Sequence, residues 1–159
     1  GGKPYAGARN AAGEVGHTVC RPGGRRCVCG NDGCYEAYCG GGPVTARAME
    51  ELGPPPSGER WRVSGLLEIA ERDARAQLIL DEAATAACSL TASLCTLLNP
   101  AAVVLGGGVI AGWPALGQQI ESFVRSWCSE AVTTELTFHP SLGGARAGPG
   151  QASSERAGR

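Results

Sequence analysis

The chain has 159 residues, 43% hydrophobic and 18% charged, with a formal net charge of −1. That length and balance suit one globular domain with a sizeable core and exclude a disordered chain. Near-equal basic and acidic totals leave no long-range attraction toward nucleic acid or an anionic membrane.

Residue 1 is Gly and no basic-plus-apolar leader follows it. The expectation is a cytoplasmic protein without a signal or transit peptide. Residues 1–16, rich in Gly and Ala, read as the end of a hairpin entering a tight loop. Residues 17–34 carry most of a cysteine cluster, with Pro22-Gly23-Gly24 as a turn. From Cys34 to about Leu52 the pattern becomes helical, with Tyr38, Val44, Ala48 and Leu52 on one apolar side, and the Pro- and Gly-rich run 53–58 ends it. Ser64 reads as the N-cap of a short helix from Gly65 to about Glu71, and Asp73 as the cap of a long one reaching Leu98.

In that long helix Ala76, Leu80, Ala83, Ala87, Leu90 and Leu94 recur on one face. Charge disappears from the other faces after Glu82, so its second half is expected to be buried nearly all round. The uncharged stretch from Ala83 to Ile120 is broken by Asn99-Pro100 and by three glycines. A membrane span needs roughly 20 consecutive, strongly apolar residues, so a buried helix followed by a buried strand, Ala102–Leu105, is expected instead. A helix from Pro114 to about Ser129 and a short strand over Leu136–Phe138 follow. Residues 143–159 hold almost nothing to bury and read as a disordered tail behind a folded unit of residues 1–142.

Five of the eight cysteines crowd between Cys20 and Cys39. His17, Cys27, Cys29 and Cys34 supply one imidazole and three thiolates, a donor set that suits a closed, tetrahedral structural zinc site. Such a site ties down a loop with little apolar content of its own. On spacing alone Cys20 and Cys39 could also serve, and the alternative is a set of buried or oxidised thiols.

Gly16-His17, then Cys27-Val28-Cys29-Gly30-Asn31-Asp32-Gly33-Cys34-Tyr35-Glu36, resembles the signature of the ROK family of sugar kinases and sugar-responsive repressors. Ala11-Ala12-Gly13-Glu14-Val15-Gly16-His17 is similar to its sugar loop. Leu98-Asn99-Pro100-Ala101-Ala102-Val103-Val104-Leu105-Gly106-Gly107-Gly108-Val109 is similar to its nucleotide-side strand and loop. The resemblance implies an α/β actin-like ATPase fold (hexokinase-type, ribonuclease H-like), mostly the second lobe, with a zinc-binding loop. It implies that His17, Cys27, Cys29 and Cys34 hold the zinc, leaving Cys20 and Cys39 as bystanders. It also implies that Glu14, His17 and Glu36 contact sugar hydroxyls, and that Gly106, Gly107 and Gly108 approach a nucleotide.

Carboxylates do accept hydrogen bonds from vicinal hydroxyls; the plainer alternative is that Glu14 and Glu36 are solvated surface acids. A glycine triplet after a strand lets a ligand approach the backbone, or is simply a tight turn. The full-length family members carry an N-terminal phosphate loop and an Asn-Asp pair whose Asp is the base. Neither is present here, where Asp32, Asp73 and Asp81 are the only aspartates.

The expectation is therefore a fragment of an ATP- and Mg2+-dependent kinase for a hexose or N-acyl-hexosamine, homodimeric when full length. On its own it should bind sugar weakly, if at all, and not phosphorylate it. The alternative is the effector domain of a ROK repressor, the one case in which nucleic acid would be a partner.

Overall fold

The computed structural model describes residues 2–141. The expected tail, 143–159, lies outside the described residues. After a 3₁₀ turn at Val15–His17 come α1 (Glu36–Cys39), α2 (Gly41–Leu52), α3 (Val63–Ala70) and α4 (Ala74–Leu98). Strand β1 (Ala102–Leu105), α5 (Gly108–Gly112), α6 (Pro114–Trp127), α7 (Glu130–Thr133) and β2 (Thr137–Pro140) complete the order.

Residues 2–14 form no strand, so the expected hairpin end is not found. Gly7, Asn10 and Gly13 all take positive φ (71°, 55° and 95°), which an extended strand does not tolerate. The segment instead closes on itself, with the Ala12 amide donating to the Ala6 carbonyl at 3.1 Å. The single helix expected from Cys34 to Leu52 is two, because Gly40 is extended (φ −66°, ψ 139°) between α1 and α2. Helix α3 starts at Val63 with Arg62 in the cap position, so Ser64 lies inside the first turn and caps nothing. Buried Trp61 fixes that entry by donating its indole N–H to the Gly53 carbonyl at 2.7 Å.

Helix α4 begins as expected, with Asp73 accepting from the Arg75 amide at 2.9 Å. Its buried side runs Ala76, Ile79, Leu80, Ala83, Ala86, Cys88, Ala92 and Cys95. The second half is not buried all round: Leu97 is 78% and Leu98 70% exposed. Loss of charge there does not mean burial, because Thr85, Thr91 and Ser93 satisfy their hydroxyls on carbonyls one turn back. By length and composition α4 could cross a membrane, but its apolar side is built into the core.

Strands β1 and β2 pair in parallel, Ala102 opposite Thr137 through Leu105 opposite Pro140, joined by α5–α7 as a βαβ crossover. Val103, Leu105 and Phe138 pack against the helical core. Strand β1 is not buried on both faces as expected; Val104 is 64% exposed, since the helices cover one face of this pair. The main core joins Leu66, Ile79, Leu80, Leu116, Ile120 and Val124. A second, smaller one holds Cys27, Cys34, Ala37, Tyr38 and Ala86.

The Arg75 guanidinium, helped by its backbone amide, holds the Asp73 carboxyl down at about 2, below its ordinary 3.8. A depressed carboxylate stabilises the fold above its unfolded pKa, and that stability is lost as pH falls toward the folded value. Asp73→Asn keeps a capping oxygen but loses the charge. Denaturation midpoints should show the parent more stable than Asp73→Asn at pH 5, with the difference shrinking between about pH 4 and 2.

Candidate metal centre and the carboxylates beside it

The loop 17–34 is folded by its own backbone. The Cys27 amide donates to the Asn31 carbonyl at 2.8 Å and the Gly30 amide to the Cys27 carbonyl at 3.0 Å, turning Cys27-Val28-Cys29 into a knuckle. The Tyr35 amide donates to the Thr18 carbonyl at 3.1 Å, laying Cys34 against the residues after His17. One donor atom from each of His17, Cys27, Cys29 and Cys34 then falls within 4.8 Å of every other.

Cys27 Sγ is 3.5 Å from His17 Nδ1, and Cys29 Sγ is 3.6 Å from Cys34 Sγ. Metal–sulfur and metal–nitrogen bonds of about 2.3 and 2.0 Å make tetrahedral edges of about 3.8 Å between sulfurs and about 3.5 Å between sulfur and nitrogen. Those two separations, and the Cys₃His chemistry, fit one tetrahedral ion. Burial, with the neighbouring Cys29 and Cys27 sulfurs, pushes the Cys34 thiol up to about 12. A divalent cation at the centre reverses that penalty, because a coordinating thiol is deprotonated outright.

Of the five crowded cysteines, the fold gathers three with His17. Cys20 and Cys39 stand outside the four-donor cluster, their thiols donating to the Gly33 and Tyr35 carbonyls at 3.3 Å each. Burial raises both thiols, Cys39 to about 11.

The His17 ring is divided between two neighbours. With Nδ1 beside Cys27 Sγ, Nε2 turns to Glu14 Oε2 at 3.7 Å. Glu36 opens α1, two residues after Cys34. Its carboxylate lies between two glycines: a Cβ on Gly16 would come within 3.0 Å of Oε2, and one on Gly40 within 2.7 Å of the carboxyl carbon. Among the described residues this carboxylate has no hydrogen-bond or ion-pair partner. Glu14, His17 and Glu36 thus gather around Gly16, two carboxylates and a ring nitrogen at the edge of the metal loop.

Over residues 1–153 the chain matches the ROK family. It belongs to that family. It is 30% identical over 145 residues to the N-acetylmannosamine kinase of Haemophilus influenzae, an alignment covering 87% of this chain and 46% of that protein. The ROK hexokinase of Thermus thermophilus superposes with a TM-score of 0.69 at 28% identity, over 90% of this chain and 47% of its own. A ROK glucokinase of Streptomyces griseus, solved with glucose and AMPPNP, gives 0.61 at 25% identity, over 81% and 46%. The fold is the actin-like ATPase fold, and the chain spans about half the length of these relatives.

In this ROK chain the glycine triplet stands where β1 ends and α5 begins. Gly106 is packed on Ser141, whose Cβ lies 2.5 Å from where a Gly106 Cβ would stand, and Gly107 takes φ 92°; both are needed by the turn itself. Gly108 faces open space. The three aspartates are engaged elsewhere: Asp32 with Arg26 at 3.2 Å, Asp73 with Arg75 at 2.7 Å, and Asp81 with Gln77 at 2.7 Å. Sequence reading passed over Glu82, on which Arg21, Arg25 and Arg47 converge. Its signal was its isolation, as the last charge before the uncharged stretch that starts at Ala83.

Metal analysis of purified protein by plasma mass spectrometry should find one ion per chain, retained in Cys20→Ser and Cys39→Ser and lost in Cys29→Ser. Cys29 is the exposed cysteine of the four-donor cluster, so its replacement disturbs packing least.

Proposed function

We propose that this chain is the sugar-binding, zinc-braced portion of a ROK sugar kinase. The whole protein would pass a phosphoryl group from ATP, with Mg2+, to a hydroxyl of a hexose or N-acyl-hexosamine. The observation that carries this reading is the convergence of Glu14, His17 Nε2 and Glu36 beside a four-donor metal cluster that takes the ring's other nitrogen. The kinases among its relatives support it.

Glu36 offers a carboxylate that no residue of the described chain engages, and Glu14 one that is 73% exposed. Ionised carboxylates are acceptor-only and bind adjacent hydroxyls through both oxygens. His17, its Nδ1 committed to the metal, presents Nε2 in a fixed direction. Zinc held by four protein donors is a closed site and supplies structural bracing to the loop.

Phosphoryl transfer to a hydroxyl also calls for a base. With Asp32, Asp73 and Asp81 engaged in local contacts, we assign that base, and the phosphate loop, to the remainder of a full-length kinase. The nucleotide is assigned to Gly106–Gly108, at the carboxyl ends of parallel strands where such ligands bind. Eight cysteines with no disulfide among them, three of them in the metal cluster, suit a reducing, cytoplasmic setting.

Calorimetric titration with glucose and with N-acetylmannosamine tests the assignment. Loss of a hydrogen bond to a charged group should weaken binding about 10–100-fold in Glu14→Gln and Glu36→Gln, with the metal retained. Gly40→Ala, which displaces the Glu36 carboxylate, should act in the same direction. His17→Ala should lose both metal and sugar. Parent-like affinity in both Gln variants would reject the site.

A further inference from the structure

The metal is one of two attachments of the loop; the other is a charge cluster on α4. Glu82 receives Arg25 Nη2 at 2.5 Å and Arg47 Nη1 at 2.5 Å, with Arg21 Nη1 at 3.6 Å. Arg21 and Arg25 come from the metal loop and Arg47 from α2. The same two loop guanidiniums lie over the Tyr38 ring, 4.9 and 4.8 Å from its centre. The Arg25 amide donates to the Tyr38 hydroxyl at 3.0 Å, and Gly24 has no room for a Cβ against that hydroxyl. Tyr38 sits in the one-turn helix α1, two residues after Glu36.

These contacts form a continuous path from Glu82 through Arg25 and Tyr38 to the helix that carries Glu36. Exposed ion pairs contribute little, but this one is part-buried, with side-chain exposures of 25% for Glu82, 33% for Arg25 and 12% for Arg47. Burial pushes the Glu82 carboxyl up; Arg25 and Arg47 outweigh it and hold the carboxyl below its ordinary range. One turn further along α4, Ala86 is buried in the small core with Cys27, Cys34 and Tyr38, so the cluster and that core act on the same surface.

We infer that Glu82 is a positioning residue for the sugar site: it sets where Glu36 stands relative to His17 by pinning the Arg21–Arg25 turn and Tyr38, independently of the metal. This rests on the sugar-binding reading above. No contact with sugar is assigned to Glu82.

The test compares the parent chain with Glu82→Gln, Tyr38→Phe and Glu51→Gln, the last also a partner of Arg47 but remote from the loop. Four readouts are taken: metal content, melting temperature, the rate of tryptic cleavage after Arg25 and Arg26, and affinity for glucose and N-acetylmannosamine. Glu82→Gln should keep one metal ion and a near-parent melting temperature. Its cleavage should be faster and its sugar affinity weaker, each by about tenfold, the scale seen when outer partners of a site are removed. Tyr38→Phe, which deletes one hydroxyl, should move both in the same direction by less, and Glu51→Gln should move neither.

Parent-like cleavage and affinity in Glu82→Gln would overturn the inference, as would faster cleavage with unchanged affinity. Metal loss in Glu82→Gln would overturn the independence from the metal. Should Glu82→Gln fail to fold, Tyr38→Phe decides by the same criteria. A parent chain that binds neither sugar rejects the sugar-binding reading itself; the cleavage rate then decides alone, an unchanged rate counting against the Glu82 anchor.

Discussion

One helix has to serve two cores, and the rest of the molecule is arranged around that requirement. The buried side of α4 gives Ala76, Ile79, Leu80, Ala83, Cys88, Ala92 and Cys95 to the main core, and Ala86 to the small one beneath the metal loop. Its alanines keep the helix thin enough for neighbours to approach on more than one side. The same helix offers a single carboxylate, Glu82, toward the loop. A bulkier residue at Ala86 would crowd the small core, and an apolar one at 82 would remove the charge anchor of the loop, while the other residues of the main core stay in place.

The loop needs this help because it has almost no apolar content. Of residues 17–34 only Cys27 and Cys34 are buried hydrophobics, and they double as candidate metal donors. A segment that cannot cover the entropy of its own ordering by burial must be cross-linked. Four donors placed to hold one ion offer that cross-link at one end, and the Arg–Tyr–Glu cluster provides it at the other. Cross-linking of that kind would suit the proposed site, where two carboxylates and an imidazole would have to meet a ligand already in position.

Much of this was legible in the sequence for definite reasons. Asp73 before an Ala- and Leu-rich periodic run, Asn99-Pro100 behind it, and Pro114 ahead of the next helix are local signals, and local structure followed them. The His17 and cysteine spacing named a four-donor set, though only the folded loop separates Cys20 and Cys39 from it. What failed was what depends on distant surroundings. The uncharged half of α4 was expected to be enclosed, yet Ser and Thr in a helix satisfy themselves and tolerate water. Ser64 has the chemistry of a cap, but the anchoring of Trp61 starts α3 earlier. The break at Gly40 is local instead: the Glu36 carboxylate, four residues back, occupies the space beside that glycine, a contact that helical periodicity does not signal.

That break joins the two halves of the proposed chemistry. Gly40 ends the helix that presents Glu36, and Gly41 begins α2, with its Cβ position 3.3 Å from a methyl of Val109. Val109 directly follows the glycine triplet at the end of β1. The Glu36 carboxylate and the glycine loop are therefore linked through two adjacent glycines, although about 70 residues separate them in the chain. A kinase must bring its acceptor hydroxyl and its nucleotide to one place while holding each by different elements. Here the absence of a side chain at Gly41 lets the start of α2 approach Val109 at the start of α5. Adding side-chain bulk at Gly41 should separate the two sides without touching either set of ligands.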